Sequence, residues 1–238
     1  MNIALIGYGK MGKAIEKIAL ERGHNISAII DMNSSLKSID DLHEKVDVAI
    51  EFTTPSSAGK NIYECLKKSI PVVSGTTGWN INIPEIKNLC KEYKTSMFYA
   101  SNFSIGMNIF MEINKNLAVM MNKFDAYKVS IEETHHIHKL DKPSGTAITL
   151  AEDIIKKYSK YNNWQLSPVN DAGHLGISSF REGETIGDHK ITWKSDIDKI
   201  TIEHSAKNRD GFALGAILSA EYIRDKEGYF TMRDLLNL

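Results

Sequence analysis

The residues best equipped for chemistry lie between positions 132 and 147. Glu132 and Glu133 precede His135, His136 and His138, and Lys139, Asp141 and Lys142 lead into Pro143, Ser144, Gly145 and Thr146. An imidazole titrates near neutrality and a lysine among other cations releases its proton more readily, so His135 and Lys139 are candidates to protonate a reduced substrate. Ser144 has the character of a helix N-cap, which leaves the N–H groups of Gly145 and Thr146 at the positive end of a helix running through Leu150. With cations nearby, that end suits an anionic ligand such as a carboxylate. A metal is the competing use, with His135, His136, His138 and Asp141 as ligands, but no cysteine or downstream partner stands at familiar zinc spacing. No metal is expected. The plain alternative is a solvated polar loop before a capped helix.

A second motif opens the chain. Gly7, Tyr8, Gly9, Lys10, Met11 and Gly12 form G-x-G-x-x-G after a short apolar run, and Asp31 ends the next one. The first glycine permits a tight turn, the second lets backbone approach a pyrophosphate, and the third allows close helix packing. Asp31 is placed to accept from a ribose hydroxyl. Its carboxylate repels the extra phosphate of NADPH and the next residue, Met32, offers no offsetting charge, so NADH is expected to be preferred, with NADPH possible. Two further loops, one holding Gly75, Thr76 and Thr77 and the other Ala100, Ser101, Asn102 and Phe103, stand at the ends of presumed strands and are expected to flank the nicotinamide.

The elements that position these residues follow from periodicity. Asn2 to Ile6, Ile26 to Ile30, Val46 to Phe52, Ile70 to Ser74 and Ser96 to Ala100 are β-rich, with helical segments such as Met11 to Arg22 and Pro84 to Tyr93 between them. Strands alternating with helices predict an α/β fold, a Rossmann-type doubly wound parallel sheet over residues 1–103. Ile105 to Asn122 reads as one long helix and Tyr127 to Thr134 as a strand. Leu175 to Phe180, Glu184 to Trp193 and Lys199 to His204 are β-rich runs separated by turn residues. A smaller α+β domain with a mixed or antiparallel sheet is therefore expected over 104–208, for substrate binding and oligomerisation. A helical tail from Phe212 to Ile223 is expected, and the segment from about 209 to 238 is expected to pack back on the first domain.

Composition narrows the function. Lys and Arg total 29 against 30 Asp and Glu, a net charge of -1, which gives no footprint for nucleic acid. The start lacks a signal-peptide pattern and no apolar run reaches membrane-spanning length, so a cytoplasmic protein without a membrane partner is expected. Cys65 and Cys90 match neither a zinc site nor a redox pair and read as packing residues.

Glu133 to Ala147 closely resembles the signature segment of the dihydrodipicolinate reductase family. Gly7 to Gly12, Glu51 to Thr53, Gly75 to Gly78, Ala100 to Gly106 and Met232 to Leu236 also resemble their counterparts in family order, so the likeness spans almost the whole chain. The resemblance implies NAD(P)H-dependent reduction of 4-hydroxy-tetrahydrodipicolinate to tetrahydrodipicolinate, with loss of water, in the diaminopimelate route to lysine. It implies His135 as proton donor and Lys139 as general acid or charge stabiliser. It assigns His136, Gly145 and Thr146 to the dicarboxylate substrate, and the glycine loop, Asp31, Gly75 to Thr77 and Ala100 to Phe103 to the cofactor. Relatives are homotetramers joined through the second-domain sheet, so a homotetramer is expected. The chain departs from the family in the abbreviated connection from Asp31 to Val46 and in Met32, where many relatives carry a basic residue.

Two other readings compete: a related reductase acting on another small imine or carbonyl compound, and a non-catalytic NADH-responsive binding protein, which has no need of His135 and Lys139 together. Arg181, alone at a turn, reads as solvent-exposed and is left outside the site.

Overall fold

A computed structural model of the chain describes residues 1–42, 45–169 and 171–238. The chain divides into two compact units, one of residues 1–105 with 209–238 and one of residues 106–208.

The first unit begins with β1 (Asn2–Ile6), α1 (Lys10–Glu21), β2 (Asn25–Ile30), β3 (Val48–Glu51), α2 (Pro55–Lys67), β4 (Val72–Ser74), α3 (Ile83–Glu92) and β5 (Ser96–Tyr99). A 3-10 turn at Ile39–Asp41 follows β2, and the abbreviated connection after Asp31 runs partly outside the described residues. β3 and β4 are buried at every position, as near-continuous apolar strands must be when helices cover both faces of a sheet. Helix α1 buries Gly12, Ile15, Ile18 and Ala19, a three- and four-residue spacing that turns one stripe to the sheet.

The second unit contains α4 (Ile105–Met121), whose first residue closes the first unit, then β6 (Lys128–His135), α5 (Gly145–Ile155), β7 (Asn163–Leu166), β8 (His174–Arg181), β9 (Asp188–Lys194) and β10 (Lys199–Ser205). The chain then returns to the first unit with α6 (Asp210–Ile223), β11 (Gly228–Phe230) and α7 (Met232–Leu236). Ala213, Ala216, Ile217 and Ala220 of α6 share a core with Ile3, Leu5, Ile50 and Phe98.

The first sheet is six-stranded in the order β11-β5-β4-β3-β1-β2, with every pair parallel. β2 and β3 lie on opposite sides of β1, so a crevice opens at the carboxyl ends of β1 and its neighbours, where open parallel sheets take their ligands. The expected doubly wound sheet is thus borne out. β11 was not read from sequence because it is three residues long and carries no periodicity.

The second sheet has the order β10-β9-β6-β8-β7. It is mixed: β6 runs antiparallel to β9 and parallel to β8, which in turn is parallel to β7. β7 is likewise absent from the sequence reading, since the alternation in Asn163 to Leu166 is only four residues long. Alternate residues of β6, Val129, Ile131, Glu133 and His135, are buried, so its inward face begins apolar and becomes polar at the carboxyl end. Ile131, Ile177, Ile191 and Trp193 share a core with Ala147, Leu150 and Ile154 of α5. No helix among the described residues is long and apolar enough to cross a membrane.

Candidate active site

In the first unit the glycine loop turns directly from β1 into α1. Gly7 has φ +91°, and a Cβ there would stand 2.1 Å from the Phe52 carbonyl oxygen; at Gly12 it would stand 2.4 Å from the carbonyl oxygen of Gly7. Both glycines are required by the packing of the turn itself. Gly9 differs, because a Cβ there meets nothing within 4 Å. It is the N-cap of α1 yet supplies no side-chain cap, and the first turn holds no acidic residue, so N–H donors at the positive end of the helix stay available to an anion.

Asp31 sits just past β2. Its carboxylate accepts from the backbone N–H of Tyr8 at 2.9 Å and of Asn33 at 3.0 Å, and these bonds hold its carboxyl below the usual carboxylate range. A cavity of about 570 Å³ runs past Gly7, Tyr8, Gly9, Asp31, Met32 and Lys37. A second, of about 420 Å³, is lined by Lys10, Met11, Gly75, Thr76 and Thr77. The two share Gly9, Phe52 and Thr53, so a groove leads from Asp31 across the glycine loop to Thr77. Clear space over Gly9, free N–H donors and an ionised Asp31 suit a dinucleotide. Gly12 packs beneath this groove. Ala100, Ser101, Asn102 and Phe103 line neither cavity, and the Phe103 ring is buried 5.5 Å from that of Phe52.

Sequence reading gave no role to Glu51, which is fully buried at the end of β3. It accepts from Ser74 Oγ at 2.6 Å, Thr76 Oγ1 at 2.9 Å, the Thr53 N–H at 3.0 Å and also the Thr53 hydroxyl, so one carboxylate ties two loops of the groove together. A glutamate closing an otherwise apolar strand was the available signal.

In the second unit the polar end of the sheet gathers residues from three strands. Register places Glu133 of β6 opposite Ser179 of β8 and His189 of β9, and His135 opposite Arg181. Glu133, His135 and His189 are buried. His135 Nδ1 lies 2.6 Å from Glu133 Oε2, and the rings of His135 and His189 meet edge to face at 5.2 Å. Glu133 Oε1 accepts from the Ser144 N–H at 3.2 Å, from Ser179 Oγ and from Arg181 Nη1 at 3.1 Å. Burial alone would raise the Glu133 carboxyl, but hydrogen bonds from His135, Ser179 and Ser144 hold it well below the usual range. Burial, reinforced by the charge of His135, pushes His189 down to about 4.

Arg181 corrects the expectation of an exposed side chain. Only 14% of it is exposed, because it turns inward to Glu133 instead of outward from the strand end. Lys139 lies in the loop beyond β6, its Nζ 2.8 Å from Asp141 Oδ1, an ion pair that lowers the Asp141 carboxyl. Ser144 caps α5 by accepting from the Ala147 N–H at 3.2 Å, and a Cβ at exposed Gly145 would meet nothing within 4 Å. Thr146 is half-buried in the first turn of α5, and His136, also half-buried, stands in the loop with His138, their rings 6.1 Å apart.

The metal-ligand grouping weighed from sequence does not form. Among the described residues, the ligand atoms that gather within 4.8 Å are those of Glu133, His135 and His189. A guanidinium already occupies one side of that carboxylate.

A parallel sheet with a glycine loop at its switch point, followed by a unit that concentrates imidazoles and ammonium groups, is the arrangement that a nicotinamide-dependent reductase requires. The chain belongs to the dihydrodipicolinate reductase family: residues 1–103 match the family's N-terminal part and 106–236 its C-terminal part. It is 49% identical over 237 residues to the 4-hydroxy-tetrahydrodipicolinate reductase of Christiangramia forsetii, covering 100% of this chain and 98% of the relative. The enzyme of the same name from Rickettsia rickettsii is 35% identical over 243 residues, with 100% of each covered. Among solved structures, the dipicolinate-bound dihydrodipicolinate reductase from Paenisporosarcina sp. TG-14 has the same fold, with TM-score 0.82, 23% identity and 97% of each chain covered. Membership of the family makes the chain an NAD(P)H-dependent oxidoreductase.

Proposed function

We propose that the chain reduces 4-hydroxy-tetrahydrodipicolinate to tetrahydrodipicolinate with loss of water, in the diaminopimelate route to lysine. The observation that carries this reading is the convergence, in one unit, of His135, Lys139 and the open first turn of α5. The groove of the first unit would hold the dinucleotide through Gly7 to Gly12, Asp31 and Gly75 to Thr77, with Ala100 to Phe103 beside it. When bound, the nicotinamide supplies a hydride. His135 would deliver the proton that the reduced ring requires, and Lys139 would steady the developing charge or share that role. His136 with the N–H groups of Gly145 and Thr146 would hold the substrate carboxylates, since helix N-termini favour anions.

NADH is the preferred coenzyme in this reading, because Asp31 meets the ribose and Met32 brings no charge. No metal takes part. The enzyme works in the cytoplasm as a homotetramer. Support for self-association comes from β10, an edge strand seven residues long that is exposed or half-buried throughout and carries Ile200 39% exposed. A long exposed edge invites pairing unless it is covered.

A coupled assay tests the activity: an aldolase-type enzyme generates the substrate and NADH absorbance is followed. Substrate-dependent oxidation of NADH is expected. NADH oxidation with other imines or carbonyl compounds alone would transfer the reading to the related-reductase alternative, and coenzyme binding without turnover on any of them would leave a binding protein.

A further inference from the structure

Glu133 and Arg181 lie 48 residues apart in sequence and form one ion pair, with Glu133 fully buried and Arg181 half-buried. Their remaining contacts lead to the two groups that would move protons. On the carboxylate side, Glu133 Oε2 lies 2.6 Å from His135 Nδ1 as an ion-pair contact, and neither atom has an aligned hydrogen-bond partner. A carboxylate at that distance favours the proton on Nδ1, which leaves Nε2 as the nitrogen that exchanges one. The space beside Nε2 is kept by Gly187, where a Cβ would come within 3.1 Å of it. On the guanidinium side, Arg181 Nε donates to the Lys139 carbonyl at 3.2 Å and Nη2 donates to the Asp141 carbonyl. The ion-paired side chains of Lys139 and Asp141 thus hang from backbone that Arg181 grips.

We infer that the Glu133–Arg181 pair is a positioning device for the proton-transfer groups, Glu133 fixing the tautomer and direction of His135 while Arg181 anchors the loop that carries Lys139. The inference rests on the proposed roles of His135 and Lys139. Chemistry dictates both residue types. Glu133 turns one charged oxygen to His135 and accepts with the other from Ser144, Ser179 and Arg181, whereas a glutamine amide has a single acceptor oxygen and must turn N–H donors toward one of the two sides. Arg181 serves a carboxylate and two loop carbonyls through a planar fork, which a lysine ammonium does not reproduce. Neither residue is assigned contact with substrate.

The test compares Glu133→Gln and Arg181→Lys with wild type and His135→Ala, reading kcat, KM for NADH, the pH profile of kcat, and the ring ¹⁵N shifts of His135. Glu133→Gln is expected to lower kcat by about ten- to a hundredfold with KM for NADH within about twofold, to move the pH profile, and to lose the Nδ1–H signature seen in wild type. Arg181→Lys is expected to lower kcat by about tenfold at unchanged NADH affinity while keeping the Nδ1–H signature, because it loosens the Lys139 loop alone. Wild-type kcat and an unchanged tautomer in Glu133→Gln overturn the inference, as does wild-type kcat in Arg181→Lys. Should Glu133→Gln fail to fold, Arg181→Lys together with the wild-type ring shifts decides: an Nε2–H tautomer in wild type overturns the inference. The ring shifts need no turnover, so an inactive wild type counts against the proposed reaction and leaves the role of Glu133 to be read independently.

Discussion

The Lys37 ammonium folds back toward the end of β2, donating to the Met32 carbonyl and lying 3.5 Å from the carbonyl oxygen of Asp31. It lines the same cavity as Asp31. The residue directly after Asp31, Met32, is uncharged and 90% exposed; the turn at Asp31 to Leu36 brings a cation from six positions downstream instead. Were Lys37 to leave those carbonyls for a ribose phosphate, it would offset the repulsion from Asp31 on which the proposed preference for NADH rests. Lys37→Ala is predicted to lower kcat/KM for NADPH by about tenfold, a loss of about 1.4 kcal/mol, and to leave kcat/KM for NADH within about twofold. Steady-state kinetics with both coenzymes checks this, and equal losses with the two would remove Lys37 from phosphate recognition.

His135→Ala and Lys139→Ala are each predicted to reduce kcat by about a hundredfold or more while leaving NADH affinity nearly intact, as expected for groups that act on the reacting atoms. Fluorescence titration of NADH alongside turnover separates the two quantities. Wild-type turnover in both variants would exclude their assigned roles.

Two glycines of one loop should respond oppositely to the same methyl group. Gly7→Ala forces a side chain into a positive-φ position 2.1 Å from the Phe52 carbonyl, and is predicted to cost about 2 kcal/mol or more of stability. Gly9→Ala meets open space with an ordinary negative φ, so the fold should melt near the wild-type temperature. Its added methyl occupies room assigned to the dinucleotide, and KM for NADH should rise by about tenfold. Thermal melts paired with coenzyme titration discriminate these cases, and reversed sensitivities would show that the groove is misassigned.

His189 should make the second unit acid-sensitive. Its folded pKa is depressed to about 4 from 6.5. Between those values the unfolded chain binds the proton that the folded chain refuses, so stability rises with pH across this window and is lost as pH falls through it. The full shift corresponds to a stability change on the order of 3 kcal/mol. Urea titrations at pH 7, 5.5 and 4.5 are predicted to show progressively lower midpoints, with a shallower decline in His189→Gln. The depressed Glu133 carboxyl acts in the same direction at lower pH, since protonating it removes the charge that binds Arg181 and His135. An identical pH dependence in His189→Gln would show that this imidazole is not the responsible group.

What the sequence alone determined about this protein is what neighbours along the chain decide. Strand and helix periods in the first hundred residues, the glycine turn between β1 and α1, Asp31 after β2, and the Ser144 cap of α5 each depend on residues within a few positions of one another, so local pattern was enough to predict the doubly wound sheet and to nominate its loops. Tertiary structure alone decided which side chains meet. Glu133, Ser179, Arg181 and His189 are spread over 57 positions of the chain, and only the β8-β6-β9 register brings Glu133, Ser179 and His189 to one level with Arg181 two residues beyond. Alternation in Val129, Ile131, Glu133 and His135 marks the face that β6 presents but not what stands opposite, because register is fixed by packing between strands distant in sequence. For the same reason Arg181 reads as a lone turn cation in one dimension and as a half-buried anchor in three: a charge withdraws from water only when a partner is there to receive it, and its partner lies on another strand.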